Sequence, residues 1–321
     1  MSRAKLIAAA VSGIFILLLA ISSYWSNTPD VIERNKLLPP PNSNVVGFAT
    51  TTSLIFTTQE LLDKPGGYLS NDILPPSVMM DNMPAFEFGA LEQIRDLALI
   101  MRKEFSRSQS QSIEDVDLAK AQPKLNADHK RWAFRSAESE YYDAIGYLLD
   151  YRSKISDPAT NAQFYARADN LTQWLALVQN RLGSLSARLA ASVGQQKINT
   201  DLAGESAAKQ STPSPAELAY KTPWMKIDDV FYEARGASWA LLNFLKAVEI
   251  DFVDVLERKN ARISLQQIIR ELEATQDTVW SPMVLNGSGF GIMPNHSLVM
   301  ANYISRANAA VIDLNQLLTQ G

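Results

Sequence analysis

An all-α fold is predicted for this chain: one N-terminal membrane helix, then a bundle of long helices with coiled-coil-like seams, interrupted by an irregular Gly/Pro-rich segment. Three observations predict it. Leu6 to Trp25 contains no charged side chain. Apolar residues recur at alternating four- and three-residue spacing in three later stretches, the rhythm of helices packed along a seam. Alternation with period two, the mark of a half-buried strand, is nearly absent.

The N-terminal run is broken in apolar character only by Ser12, Gly13, Ser22 and Ser23, and follows Arg3 and Lys5. A spanning helix needs about 20 apolar residues. The run reaches that length with Tyr24 and Trp25 at the far interface, where amphipathic aromatics sit. Residues 1–25 are therefore expected to be a transmembrane anchor whose partner, over residues 6–25, is the lipid bilayer. The positive-inside rule leaves the N-terminus in the cytoplasm and exports everything after Trp25. Ala20-Ile21-Ser22 also resembles a signal-peptide cleavage site. The very short basic region and the aromatic pair favour a retained anchor. Both alternatives deliver the body to the same side of the membrane.

Composition narrows the chemistry. The 321 residues include no Cys, which excludes disulfides, thiolate metal sites, cysteine nucleophiles and a lipoprotein anchor. It also suits an oxidising compartment. Net charge is −4, and without Arg3 and Lys5 the exported part has 28 basic against 34 acidic residues. Such a body lacks the basic footprint of a nucleic-acid binder. The two histidines rule out a His-rich metal site. His129 lies in a polar stretch, Asn126 to Arg131, and reads as exposed; His296 follows Pro294-Asn295 and reads as a first-turn residue. No cofactor is expected.

Along the chain, residues 26–44 are expected to be a Pro-rich spacer, stiffened by Pro39-Pro40-Pro41, that holds the body off the bilayer. Residues 45–193 form a first helical region. Within it, Val45 to Leu62 reads as a short helix, and Lys64 to Pro84 carries too much Gly and Pro for a regular element. Its Tyr68, Leu69, Ile73 and Met83 imply that this segment is packed, and long apolar loops of this kind tend to be functional. Ile94, Leu97, Ala98, Met101 and Phe105 share a helix face, as do Tyr141, Ile145, Leu148 and Arg152 in a helix opened by Ser136. Asp157-Pro158 has the form of a helix start, leading to the seam Leu171, Leu175, Val178, Leu182, Leu185 and Leu189.

Residues 194–213 read as a flexible linker, and 214–321 as a second helical part of the same bundle. Capping boxes are expected at Ser214–Glu217 and Ser264–Gln267. The seam Ala234, Ser238, Leu241, Leu245, Val248, Phe252, Val255 and a last one from Met300 through Ile304, Ala307, Val311 and Leu314 to Leu318 complete the pattern. Phe164-Tyr165-Ala166-Arg167 is echoed around Tyr232 and Tyr303, at spacings of 67 and 71 residues. That fits duplicated helical hairpins, although matches this short also arise by chance.

Lys64 to Asp72, Asp81 to Pro84, Phe105 to Ser112 and Phe164 to Leu171 together resemble an uncharacterised family of proteobacterial envelope proteins, a domain of unknown function numbered 2333, with one N-terminal membrane helix. The resemblance implies the inner membrane of a Gram-negative bacterium. It implies no activity, cofactor or catalytic residue.

Candidate functional residues are few. Asp72, Asp81 and Glu87 could supply the paired carboxylates of glycoside cleavage, with turn-capping as the simpler role. The serine run Ser106 to Ser112, with Arg107, suits a surface loop or a partner-binding edge. Asn286 to Gly291 is glycine-rich, yet follows no strand and lacks the Lys-Ser/Thr ending of a phosphate loop. Tyr68, Arg107, Tyr165, Arg167, Asp169 and Trp174 are candidates for partner binding or internal structure. The expected function is docking of an envelope protein, or self-association, through amphipathic helices. The alternative is a peptidoglycan-directed hydrolase.

Overall fold

A computed structural model describes residues 2–39, 45–108, 113–198, 217–281, 283–288 and 291–320. The fold is all-α. Its helices are α1 (Arg3–Trp25), α2 (Arg34–Leu37), α3 (Phe48–Asp63), α4 (Asn82–Ile100), α5 (Val116–Leu125), α6 (Ala137–Ile155), α7 (Ala168–Ala190), α8 (Ile227–Asp251), α9 (Val253–Arg258), α10 (Arg262–Ala274) and α11 (His296–Thr319). A short antiparallel ribbon, β1 (Gln195–Ile198) with β2 (Glu217–Tyr220), pairs Gln195 with Tyr220.

Helix α1 stands apart: none of its residues is buried, and its mean hydropathy is 2.5. The body is built around α8, which is apolar on nearly every face and buried accordingly. Helix α4 crosses it where Gly89 and Gly236 face each other's backbone, the one against the Glu233 carbonyl and the other against that of Phe86. The seam residues expected for α7 and α11 are all buried. The two helices run antiparallel, with the Ser186 hydroxyl donating to the Ala301 carbonyl and Gly183 opposite Asn308. One apolar core takes side chains from α3 through α11. Ser136 caps α6 as its sequence indicates, accepting from the Ser139 N–H.

The spacer expected at 26–44 is, as far as residue 38, a packed strap. Trp239 donates its indole N–H to the Asp30 carbonyl at 3.0 Å, and the Ile32 N–H donates to Asn243 at 2.9 Å. Arg34 pairs with Glu249 at 3.1 Å, and Ile32 and Leu37 are buried with Ala49 and Ala247. Apolar residues between the prolines and Asp30 win this segment for the body. Residues 40–44 lie outside the described residues. At the strap's start, Trp25 rests on Gly66 so closely that a Cβ there would lie 2.6 Å from the indole. Gly66 has φ +86, which a side chain would also strain.

Three helix-start expectations are corrected. Asp157 accepts from the Ala159 N–H, forming a turn of its own, and α7 begins only at Ala168. Ser264 lies inside α10, which already begins at Arg262, just after a left-handed Asn260 (φ 50) ends α9. Glu217 belongs to β2, so no helix starts there; residues 199–216, including most of the expected linker, lie outside the described residues. The Tyr echo is out of register: Tyr165 precedes α7, whereas Tyr232 and Tyr303 lie within α8 and α11.

Candidate functional site

The Gly/Pro segment is tied down from inside. Lys64 and Glu87, neither with any exposed side-chain surface, form an ion pair at 2.6 Å. Glu87 also accepts from the backbone N–H of Leu69 (2.9 Å) and of Ser70 (2.8 Å), and Lys64 donates to the Gly67 carbonyl. Burial raises the Glu87 pKa, against the pull of Lys64, Ser70 and Leu69. Tyr68 meets Tyr141 edge-on at 5.7 Å, and burial pushes its phenol well above the usual range. The Asn71 amide donates to the Arg131 carbonyl (3.0 Å) and to Glu138 (2.7 Å). Glu87 is thus a fastener for the loop, with its oxygens turned into the backbone it holds.

Asp72 and Asp81 are exposed and line a groove of about 550 Å³ with Asp229, Glu233, His129 and Lys130. Glu87 is not in its wall. The three acidic candidates are therefore not brought together. Two of the remaining carboxylates have partners: Glu233 grips Arg188 at 2.8 Å, and Asp229 holds Lys226 at 2.7 Å. His129 is half-buried against Phe88, ring centroids 5.0 Å apart. Burial first, then Arg95 and Lys130, lower its pKa, which keeps the imidazole neutral at pH 7.

The candidates near α7 are structural. Trp174 is fully buried in the core. Arg167 stacks over Tyr165 at 5.5 Å, reaches Asp169 at 3.5 Å and donates to Asn170 at 3.1 Å, ordering the entry to the helix. The Tyr165 N–H donates to the Phe105 carbonyl. Arg107 is half-buried; the hydrogen bond from Arg102 lowers the pKa of Glu114, with the charges of Lys103 and Arg107 adding to it. Residues 109–112 of the serine run lie outside the described residues.

A second cavity, of about 330 Å³, opens between α8, α10 and α11. Phe231, Val279, Met300 and Tyr303 supply its apolar wall, and Arg235 and His296 its polar atoms. Arg235 is buried and donates to the carbonyls of Gln276 and Asp277, both at 2.8 Å, pinning the turn that follows α10. His296, the first residue of α11, accepts the Leu285 N–H on Nδ1 at 3.1 Å, which leaves its proton on Nε2. Trp280 stands on the rim 93% exposed, and Met283, Ile292 and Met293, in the segment between α10 and α11, are exposed as well. The glycine-rich loop behind them is closed at its neck, where Asn295 donates to Asn286 (2.8 Å) and to the Gly287 carbonyl (2.6 Å). An apolar socket with an exposed Trp at its mouth suits a protruding apolar side chain of a partner.

Sequence reasoning did not single out this socket. Its signal was present, since Trp280-Ser281-Pro282-Met283 and Ile292-Met293-Pro294 are the same mixture of apolar and turn residues that drew notice at residues 64–84.

No curated protein and no solved structure matches the chain. One family profile does, over residues 2–321, so the chain belongs to the family described as an uncharacterised protein conserved in bacteria, DUF2333.

Proposed function

We propose that this is a single-pass protein of the bacterial inner membrane, its N-terminus cytoplasmic and its helical body periplasmic, that docks an envelope protein in the socket between α8, α10 and α11. The observation that carries the proposal is the apolar cavity with Trp280 standing 93% exposed in its wall. Isolated exposed apolar residues are ordinary, but an exposed Trp beside an apolar cavity is surface that water penalises and a partner relieves. Trp25, seated on Gly66, supports a retained α1, because the anchor then continues into the body without a free joint. The hydrolase alternative loses Glu87 to the loop network, and with it the third member of its carboxylate set.

A photo-crosslinking amino acid at position 280, with one at exposed Ile263 as control, tests the socket in intact cells. A reproducible adduct is expected from 280 and not from 263, weakened by Met300→Ala or Tyr303→Ala. An adduct of twice the chain's mass assigns the socket to a second copy. No adduct from 280, or the same pattern from both positions, overturns the proposal.

A further inference from the structure

We infer that the face formed by the Gly/Pro segment and the loop 128–135 lies on the bilayer from which α1 emerges, with its apolar side chains among the lipid headgroups. The inference rests on the membrane-anchor part of the proposed function and adds a second membrane contact to it.

Position is the first argument. Trp25 ends α1 against Gly66, so the Gly/Pro segment sits where the anchor leaves the membrane. The strap then runs away from that point along α8, meeting Trp239, then Asn243, then Glu249. The Asp251 end of α8 is therefore the distal end, and α3, which starts beside Asp251, returns to the proximal one. The Tyr142 hydroxyl donates to Asp63 at 2.6 Å, which brings the start of α6, and the loop before it, to this same end. Asn71 fastens that loop to the Gly/Pro segment through the Arg131 carbonyl.

Composition is the second argument. This end exposes Ile73, Leu74, Val78 and Met79 from one segment and Trp132 and Phe134 from the other. Trp is the residue most at home at a membrane interface, and aliphatic and Phe side chains anchor interfacial segments below it. Lys130, also exposed, can lay its stem along the same surface with its charge among the headgroups.

The backbone supplies a third. Phe134 and Arg135 both hold left-handed conformations, φ 52 and 67, at a cost of about 1 kcal/mol or more each. The result of that strain is a Phe ring 100% exposed. The turn is not a loose tip: Arg135 pairs with Glu140 at 3.0 Å, and the Ala137 N–H donates to the Arg131 carbonyl at 2.8 Å. A braced, strained turn that presents an aromatic ring to water is built for a surface that removes the ring from water. What selects lipid over a protein partner is continuity, because this face adjoins the exit of the spanning helix and the bilayer is already there. Net charge does not drive the contact, since exposed Asp72 and Asp81 share a groove with Val78 and Lys130 on this face.

The chain has no cysteine, so single-cysteine variants can be labelled cleanly. The full-length protein in phosphatidylcholine nanodiscs, with and without phosphatidylglycerol, would carry an environment-sensitive fluorophore at Phe134→Cys, Leu74→Cys, Ser12→Cys within α1, or exposed Ile263→Cys. Spin-labelled lipid is the quencher. Labels at 134 and 74 should shift to the blue and be quenched roughly twofold by shallow spin labels, in keeping with immersion of about 5–10 Å. This should hold in both lipids. The label at 12 should be quenched by deep spin labels, and the label at 263 should behave as in water. If 134 and 74 behave like 263 while 12 is quenched, the second contact is wrong and the anchor stands. A blue shift at 134 and 74 without quenching means that protein covers the face, which also overturns the inference. If 12 itself escapes quenching, the anchor fails and takes this inference with it.

Discussion

Lys64 and Glu87 show why a buried charge is fastened rather than free. Each has no exposed side-chain surface, and each satisfies the other while gripping the loop backbone. Removing one partner of such a pair costs about 3–5 kcal/mol, because the survivor is left charged and dry. Lys64→Met is expected to lose about that much at neutral pH, by denaturant titration of the detergent-solubilised chain. The loss carries a sign with pH. Without Lys64, only the bonds from Ser70 and Leu69 still oppose burial, and the folded pKa of Glu87 rises further above the unfolded value of about 4.3. Protonation then relieves the folded state, so the deficit of Lys64→Met shrinks as pH falls toward that value and grows as pH rises through the folded one. Adding Glu87→Gln should recover part of the loss, as its amide oxygen still accepts from Leu69. None of this was legible in sequence. Glu87 stands between Phe86 and Phe88, six residues after Asp81, and its acceptor role is defined by the amides of Leu69 and Ser70, brought to it only by the fold. Trp174 is a different case: its place among Leu171, Leu175 and Val178 already marks a core face.

At the level of elements, what could be read was what repeats. The α7 and α11 seams depend on local spacing, and every residue assigned to them is buried. Ser136 was readable for the same reason, since a cap needs only its own next turn. Asp157-Pro158 was misread because an Asp oxygen that can cap a helix can equally close a two-residue turn, and the neighbourhood decides which. The α4–α8 crossing had no signature in the sequence. A lone glycine in a helical pattern is only a weak helix former until a second helix is laid against it. At Gly89 an added methyl would overlap the Glu233 carbonyl, which belongs to a helix backbone and cannot swing aside. Gly89→Ala is therefore expected to destabilise by about 3 kcal/mol or more, although alanine is the better helix former. Gly146→Ala, on α6 with nothing within 4 Å of the added carbon, should be neutral or mildly stabilising. Thermal unfolding of the two variants side by side separates packing from propensity.

For the whole molecule, the N-terminal stretch was the plainest thing in the sequence, and the structure places it outside the body as one helix apolar enough to cross a membrane. A C-terminal alkaline phosphatase fusion, active only where disulfides form, should be active if the proposed topology is right; a fusion active only as a cytosolic reporter would reverse it. The strap was the larger surprise. Its prolines suggested an extended tether, but Ile32 and Leu37 find apolar pockets and Trp239 and Asn243 supply polar handles. Those partners lie some two hundred residues away, beyond any local pattern. With Trp25 lodged on Gly66 and the following residues laced to α8, no slack cord separates α1 from the body. A tug or twist applied at the rim of the socket has nothing elastic in which to dissipate. It arrives at α1 as tilt or rotation, so that in the proposed topology an occupant of the socket would be felt on the far side of the bilayer.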